Sequence, residues 1–160
     1  MRKPSIKTKL PGPKGAELIA RDRQVLSRSL PREYPLVAVK GEGLWLTDPD
    51  GNEFLDFTSG IAVCNTGHCH PEVTRAAKEQ LDNLIHMCGA DFYNMPMVEL
   101  AEKLTAITPG AAQKRVFFGN SGAEAVEAGL KLARYQSKRK GFIAFLGAFH
   151  GRTMGALSLT

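Results

Sequence analysis

The hydrophobic positions of the chain change their period twice. After a polar, proline-containing stretch over residues 1–12, which is expected to be flexible, apolar residues recur at helical spacing from Pro13 to about Leu30. Proline in the first turn favours such a helix. The residues expected to face inward are Leu18, Ile19, Val25 and Leu26. Pro31 and Pro35 then interrupt the pattern.

Residues 36–57 change to short apolar runs separated by turn-forming residues. Strands are predicted at residues 36–39, 44–46 and 54–57, with turns at 41–43 and 48–52. The second turn, Asp-Pro-Asp-Gly-Asn, combines residue types that each favour turns for a different physical reason. This part of the sequence is therefore predicted to form a small β-meander.

From residue 71 onward the pattern alternates between helices and strands. The predicted helices run from Pro71 to about His86, from Met97 to Ile107 and from Ser121 to Ser137. The first of them has an apolar stripe formed by Val73, Ala77, Leu81 and Leu84. Short strands are predicted at 115–118 and 141–145. A strand, a helix and a strand in succession predict a parallel pair with a right-handed crossover, which is typical of an α/β fold.

Composition and charge narrow the class of protein. Hydrophobic residues make up 43% and charged residues 23%, as in ordinary globular domains. Neither a membrane-length apolar run nor a signal-peptide core is present, so a cytoplasmic protein is expected. Residues 1–40 carry ten Lys/Arg against three Asp/Glu. A basic arm can bind nucleic acid, but Tyr34 is its only aromatic residue and offers no stacking platform. A solvated helix is the favoured interpretation.

The most informative local pattern is a strand that meets a helix at residues 117–124. Ser121 can cap the helix, and Glu124 three residues later completes a capping box. Gly122 and Ala123 are small, so an anion can approach their backbone N–H groups at the positive end of the helix. Many helices begin this way without binding anything. A phosphate site and a plain helix cap therefore both remain open on this pattern alone.

A group of cysteines and histidines invites a metal interpretation. It consists of Cys64, His68, Cys69 and His70. The spacing matches no standard structural zinc pattern, because an adjacent His-Cys-His cannot easily converge on one ion. An odd number of cysteines without a signal peptide also argues against a disulfide framework. No metal site is predicted.

Four stretches match a known family in the same order and spacing. They are residues 50–57, 60–71, 120–125 and 149–153. Together they resemble the class III aminotransferases, the fold-type-I pyridoxal-phosphate enzymes that include 4-aminobutyrate and ornithine aminotransferases. The resemblance implies an α/β fold, of which this chain holds the N-terminal portion. Residues 1–60 would supply the arm, helix and β-meander of the small domain, and residues 61–160 the first part of the large, cofactor-binding domain.

The resemblance also implies roles for individual residues. Gly122 and Ala123 would donate backbone N–H groups to the phosphate of pyridoxal 5'-phosphate, with Ser121 beside them. Phe149 would stack on the pyridine ring. Arg152 would hold a substrate carboxylate through its planar fork, and Ile61 would line the substrate pocket. Apart from the family, Phe149 and Ile61 could be core residues and Arg152 a surface residue.

The chemistry that the resemblance implies needs further residues. The Schiff-base lysine and the acidic partner of the pyridinium nitrogen lie well after the phosphate turn in this family, beyond residue 160. No catalytic residue is therefore assigned within the chain, which is expected to be an N-terminal fragment or a truncated product. The role of His150 is left open.

The resemblance implies transfer of an amino group from an ω-amino acid to 2-oxoglutarate. The expected partners are an amino acid, a 2-oxo acid and a second copy of the chain in a homodimer or higher homo-oligomer, without nucleic acid or membrane. Ile61 without a nearby aromatic residue favours 4-aminobutyrate over ornithine as the donor. The alternatives are a racemase or epimerase of the same family, against which Arg152 argues, and a non-catalytic fragment.

Overall fold

The predicted β-meander is present, with its first strand displaced along the chain. The computed structural model describes residues 2–160 and contains an antiparallel sheet in the order β1 (Lys40–Glu42), β2 (Trp45–Thr47) and β3 (Glu53–Leu55). The prediction of a strand at 36–39 and a turn at 41–43 is wrong. The turn is formed by Gly43, which has φ +57°, and Leu44. With this turn, Glu42 pairs with Trp45 and Lys40 with Thr47, so the first strand begins at Lys40.

The turn at residues 48–52 has the predicted chemistry and also holds the N-terminal arm. The Asp48 carboxylate accepts hydrogen bonds from the Asp50 and Asn52 amides and from the Asn52 side chain. The fully buried Asn52 accepts from the amides of Lys7 and Thr8 at 2.6 and 3.1 Å. The expectation of a flexible arm is therefore wrong for these residues, because a buried amide side chain holds them.

The two helices predicted for the first half are confirmed, but they are shorter than predicted: they are α1 (Pro13–Val25) and α3 (Pro71–Asn83). A single turn between them, α2 (Ser59–Ala62), was not predicted. Each of α1 and α3 begins with proline, as the sequence indicates. The expected inward-facing residues lie mostly at the surface, as Val25 is 79% and Val73 57% exposed. An apolar stripe is buried only where another element packs on it, and within the described residues no helix or strand packs on the stripes of α1 and α3.

The second half contains the remaining three helices. They are α4 (Met95–Ile107), α5 (Gly122–Ser137) and α6 (Met154–Leu157), and α6 packs on α5. The predicted strands at 115–118 and 141–145 do not pair, and Phe117 and Ile143 are 74% and 95% exposed. An extended segment becomes a strand only beside a second one about 4.8 Å away. Within residues 2–160 neither segment has such a neighbour, so the predicted parallel pair is absent there.

Contacts divide the chain into two units, one ending at His86 and the other starting at Met87. This division describes packing within the chain, and the domain boundary expected between residues 60 and 61 stays a prediction. Among the hydrophobic residues of the described chain, Ala156 is the one that is fully buried. No helix within residues 2–160 is both long enough and apolar enough to cross a membrane.

Candidate functional site

The N-terminus of α5 has the geometry of an anion site. The Ser121 hydroxyl accepts a 3.2 Å hydrogen bond from the Glu124 amide, so Ser121 is the N-cap. Glu124 reaches back to the Asn120 amide at 2.6 Å, one residue before the partner expected in a capping box. The first amides of a helix have no acceptor within the helix. Gly122 and Ala123 can therefore donate to a ligand.

The segment 149–152 lies directly against this helix start. Gly151 has φ +132°, and a Cβ atom on it would come within 2.7 Å of the Ala123 Cβ. The contact requires glycine for both its conformation and its size. It brings Gly122, Ala123, Phe149 and Arg152 to one open depression of about 440 Å³, which Val126, His150 and Gly151 also line.

Arg152 and Phe149 contact each other, although the resemblance implies that Arg152 binds the substrate and Phe149 the cofactor. The Arg152 guanidinium carbon lies 5.3 Å from the centre of the Phe149 ring, which is the geometry of a cation–π contact. The phenyl ring is still 67% exposed. The planar cation and the aromatic face thus border the same space beside the α5 N-terminus.

Glu127 holds the residues that directly follow segment 149–152. One of its carboxylate oxygens accepts hydrogen bonds from the Thr153 hydroxyl at 2.7 Å, the Gly155 amide at 2.8 Å and the Ala156 amide at 3.2 Å. The hydrogen bond from Thr153 is the main reason that the pKa of Glu127 lies below its ordinary value. Glu127 therefore stays ionised and ties the start of α6, next to Arg152, to the middle of α5.

Ile61 lies in the other unit, in an unusual turn. Four consecutive residues of α2, Ser59 to Ala62, have positive φ angles, and Gly60 and Ile61 lie at φ/ψ of 64°/39° and 62°/58°. These values define a left-handed helical turn. It is closed by hydrogen bonds from Ala62 to Thr58 and from Val63 to Ser59, both 2.9 Å. Left-handed geometry costs about 1–2 kcal/mol for each residue other than glycine.

A hydrogen-bonded carboxylate–imidazole pair, Asp56 and His68, flanks this turn in the sequence. The Asp56 carboxylate lies 2.6 Å from the His68 Nε2 atom, and the two side chains are 5% and 18% exposed. The contact with His68 is the largest of the causes that lower the pKa of Asp56 far below its ordinary value. His68 is thus part of a hydrogen-bonded pair. Within residues 2–160 no three His, Cys, Asp or Glu side chains are grouped to hold a metal.

The residues of the depression fit a flat aromatic phosphate ester. The fit rests on Gly122, whose Cβ position has no atom within 4 Å and so leaves room for an anion beside the first amides of α5. Phe149 offers an exposed face to an aromatic ring. The cavity volume lies within the range of ordinary small-molecule sites. The individual roles of Ser121, Gly122, Ala123, Phe149, Ile61 and Arg152 stay predictions.

Sequence reasoning missed three residues that organise the site. It placed His68 only in a possible metal cluster and gave no role to Asp56 or Glu127. A carboxylate such as Glu127 in the middle of a helix carries no sequence signal for a partner 26 residues away.

Comparison with known proteins relates most of the chain to one family. The sequence profile of the family described as aminotransferase class-III matches residues 28–160. The acetylornithine aminotransferase of Archaeoglobus fulgidus is 47% identical over 142 residues, covering 89% of this chain and 36% of its own. The 4-aminobutyrate aminotransferase of Escherichia coli is 42% identical over 144 residues, covering 90% and 34%. An alanine/serine racemase of Pyrococcus horikoshii is 39% identical over 160 residues, covering 99% and 34%.

Solved structures give the same relationship. An ω-transaminase from Sphaerobacter thermophilus superimposes with a TM-score of 0.81 at 33% identity, covering 92% of this chain and 34% of its own. A taurine:2-oxoglutarate aminotransferase from Bifidobacterium kashiwanohense, in complex with PLP and glutamate, gives a TM-score of 0.79 at 30% identity, covering 89% and 32%. The chain spans about a third of the length of the curated relatives it matches. Its fold is that of part of a fold-type-I transaminase, and the chain belongs to the class III aminotransferase family.

Proposed function

We propose that residues 1–160 are the N-terminal part of a pyridoxal-phosphate-dependent aminotransferase. The whole protein transfers the amino group of an ω-amino acid, of the 4-aminobutyrate or ornithine type, to 2-oxoglutarate. The observation that carries the proposal is the depression where Gly122, Ala123, Phe149 and Arg152 meet. It combines helix-start amides open to an anion, an aromatic face and a cation, which are the groups that a phosphorylated aromatic cofactor and a carboxylate substrate need.

Each residue contributes a separate physical effect. Bound pyridoxal phosphate supplies an electron sink for chemistry at the amino-bearing carbon. The amides of Gly122 and Ala123 bind the phosphate at the positive end of α5. Phe149 packs on the aromatic ring and excludes water from its face. Arg152 binds a carboxylate with two parallel hydrogen bonds, which orients the substrate as well as attracting it.

The names of several relatives support an ω-amino donor. Relatives named acetylornithine, 5-aminovalerate and 4-aminobutyrate aminotransferase are 42–51% identical to this chain over the matched residues. Ile61, without an aromatic residue beside it in the sequence, favours 4-aminobutyrate over ornithine. The homodimer and the cytoplasmic location stay predictions from the family resemblance.

Amino-acid racemisation is the second candidate, because one relative of high similarity is named alanine/serine racemase. A racemase keeps the amino group on its substrate and has no need for a second, dicarboxylate substrate. Arg152 argues against racemisation only as a second carboxylate site, because such a site suits a dicarboxylate acceptor such as 2-oxoglutarate.

One experiment separates the two candidates. The whole protein, loaded with pyridoxal phosphate, is incubated with 4-aminobutyrate and with single enantiomers of alanine and serine, each with and without 2-oxoglutarate. Glutamate formed only when an ω-amino acid and 2-oxoglutarate are both present supports the proposal. Appearance of the opposite enantiomer without any 2-oxo acid, and no glutamate from any donor, would establish the racemase instead.

A further inference from the structure

After α6 the chain doubles back, so that Thr160 lies beside His150, ten residues earlier. The Thr160 hydroxyl accepts a 3.1 Å hydrogen bond from the His150 amide and donates one of 3.2 Å to the Ala156 carbonyl. The Gly151 carbonyl, at 3.5 Å, is the more distant of its two acceptors. A hydroxyl has one hydrogen to donate and two lone pairs to accept with, so it can form both bonds at once. Thr160 therefore closes residues 150–160 into a loop.

The amide that Thr160 holds belongs to the peptide bond after Phe149. Because a peptide unit is planar and rigid, a contact that fixes the His150 N–H group also fixes the Phe149 carbonyl. This narrows the directions in which the Phe149 side chain can leave the backbone. The contact uses the main chain of His150 and makes no demand on its imidazole.

The supports of this loop meet at Ala156, which is fully buried. Its amide donates to Glu127 and its carbonyl accepts from Thr160. A Cβ atom on Gly151 would come within 3.1 Å of the Ala156 Cβ, so Gly151 rests against this residue. Glu127 reaches the loop from α5 and holds the residues after Arg152. Thr160 belongs to the loop itself and holds its beginning, so the two supports act at different points.

We propose that Thr160 is a positioning residue for the depression beside α5, where its hydroxyl holds the His150 backbone and thereby the orientation of the Phe149 ring. The inference rests on the proposed function and deepens it, because the ligand addressed is the pyridine ring of pyridoxal phosphate. Thr160 does not line the depression. Its effect is preorganisation, since a ring that is already held in place loses less conformational freedom when a ligand binds.

The exposure of Phe149 shows why the backbone has to supply this constraint. The ring is 67% exposed, so packing within the described residues does little to fix it. An exposed side chain keeps much of its rotamer freedom, and ordering it on binding costs free energy. Its cation–π partner Arg152 is a long, flexible side chain. A hydrogen bond to the adjoining main chain restricts the ring without covering the face that a ligand needs.

A comparison with Thr108 distinguishes this role from an ordinary helix end. Threonine hydroxyls at helix ends commonly bond to the carbonyl four residues earlier. Thr108 does so with Leu104, at 2.6 Å. Thr160 makes the same kind of bond and in addition accepts from an amide ten residues away. Thr108 is therefore a control that shares the local bond and lacks the contact with the segment of Phe149.

The test compares Thr160→Val, Thr160→Ser and Thr108→Val in the whole protein. Valine keeps the branched shape of threonine but lacks the hydroxyl. Thr160→Val should speed hydrogen exchange of the His150 amide and lower the affinity for pyridoxal phosphate, each by roughly fivefold, equivalent to about 1 kcal/mol. Thr160→Ser keeps the hydroxyl and should restore both values. Thr108→Val should leave both unchanged.

A double variant separates positioning from general destabilisation. If Thr160 acts through the Phe149 ring, Thr160→Val should lower cofactor affinity no further in a Phe149→Ala background, because coupled residues are not additive. The circular dichroism of bound pyridoxal phosphate should change in Thr160→Val and return in Thr160→Ser. Additive losses, an unchanged exchange rate at His150, or an equal loss in Thr108→Val would overturn the inference. If Thr160→Val does not fold, Thr160→Ala takes its place in the same comparison.

The outcome also distinguishes this inference from the proposed function. A wild-type whole protein that does not bind pyridoxal phosphate overturns the proposed function and the inference together. A wild-type protein that binds the cofactor, with Thr160→Val binding it equally well, overturns the inference alone.

Discussion

The Glu127 carboxylate joins the middle of α5 to the start of α6 by accepting a 2.7 Å hydrogen bond from the Thr153 hydroxyl. The same oxygen accepts from the amides of Gly155 and Ala156. Arg152 immediately precedes Thr153, and Gly151 packs on Ala123 at the start of α5. The segment with the aromatic and cationic groups is therefore held against α5 on both sides of Arg152.

The first prediction is that Glu127→Ala releases this segment. Three donors lose their common acceptor, so hydrogen exchange at the Gly155 and Ala156 amides should become faster by roughly tenfold. Affinity for pyridoxal phosphate should fall as well, because Phe149 is less well placed. Glu127→Gln keeps an acceptor oxygen and should remain close to wild type. Glu102→Ala, an exposed change on α4, is the control. Equal exchange rates in Glu127→Ala and wild type would contradict the role given to Glu127.

The second prediction concerns Gly122. A valine side chain there would occupy the open space in which an anion can approach the first amides of α5. If the phosphate interaction is lost, cofactor affinity should fall roughly ten- to 150-fold, the range of a hydrogen bond to a charged group of about 1.5–3 kcal/mol. Equilibrium dialysis of the cofactor measures it, and circular dichroism checks that α5 still forms.

Gly129 provides a matched control for this measurement. It lies in the same helix, and its Cβ position is also open, but it does not line the depression. Gly129→Val should therefore leave cofactor affinity unchanged, although it adds the same side chain to the same helix. If Gly122→Val and Gly129→Val retain the cofactor equally well, the turn at Ser121 is a helix cap only.

The fold could be predicted where local chemistry decides it. Prolines at the starts of α1 and α3, and the Asp-Pro-Asp-Gly-Asn turn, act through their immediate neighbours, and these elements are present. The predicted strands at 115–118 and 141–145, and the parallel pair expected from them, are wrong for the described residues. Pairing depends on which segment lies alongside, and this information is not contained in the segment itself.

In the candidate site, too, features that depend on neighbouring residues were predicted, whereas contacts between residues far apart in the sequence were not. The sequence pattern at Ser121–Glu124 correctly predicted the N-cap, since a cap is a local interaction over three residues. The supports from Glu127 and from the Asp56–His68 pair join residues 26 and 12 positions apart. The left-handed form of α2 was also not predicted, because serine, isoleucine and alanine do not favour positive φ.

The third prediction is an acid-dependent loss of stability that Asp56 causes. Its native pKa lies below the ordinary value of 3.8, chiefly because of the His68 hydrogen bond. A lowered carboxyl pKa stabilises the fold above the unfolded-state pKa, and this contribution disappears as the pH falls through the native pKa. The stability difference between wild type and Asp56→Asn should therefore be constant above about pH 5 and shrink progressively as the pH falls below it. Urea unfolding of both proteins across this range measures it. A difference that persists unchanged at the lowest pH would contradict the ionic role of Asp56.

The last prediction is that Arg152 selects the amino acceptor. Arg152 lies over the exposed Phe149 ring beside the α5 N-terminus, so a carboxylate bound there is close to the proposed cofactor ring. Arg152→Ala should lower kcat/KM for 2-oxoglutarate roughly ten- to 150-fold, since a hydrogen bond to a charged group contributes about 1.5–3 kcal/mol. Use of pyruvate, which has one carboxylate, should fall less. Arg152→Lys keeps the charge but loses the planar fork, so it should restore only part of the activity. Arg139→Ala, beyond the end of α5, controls for the loss of a surface cation. Equal losses for both acceptors would show that Arg152 does not discriminate between them, and the racemase alternative would then gain support.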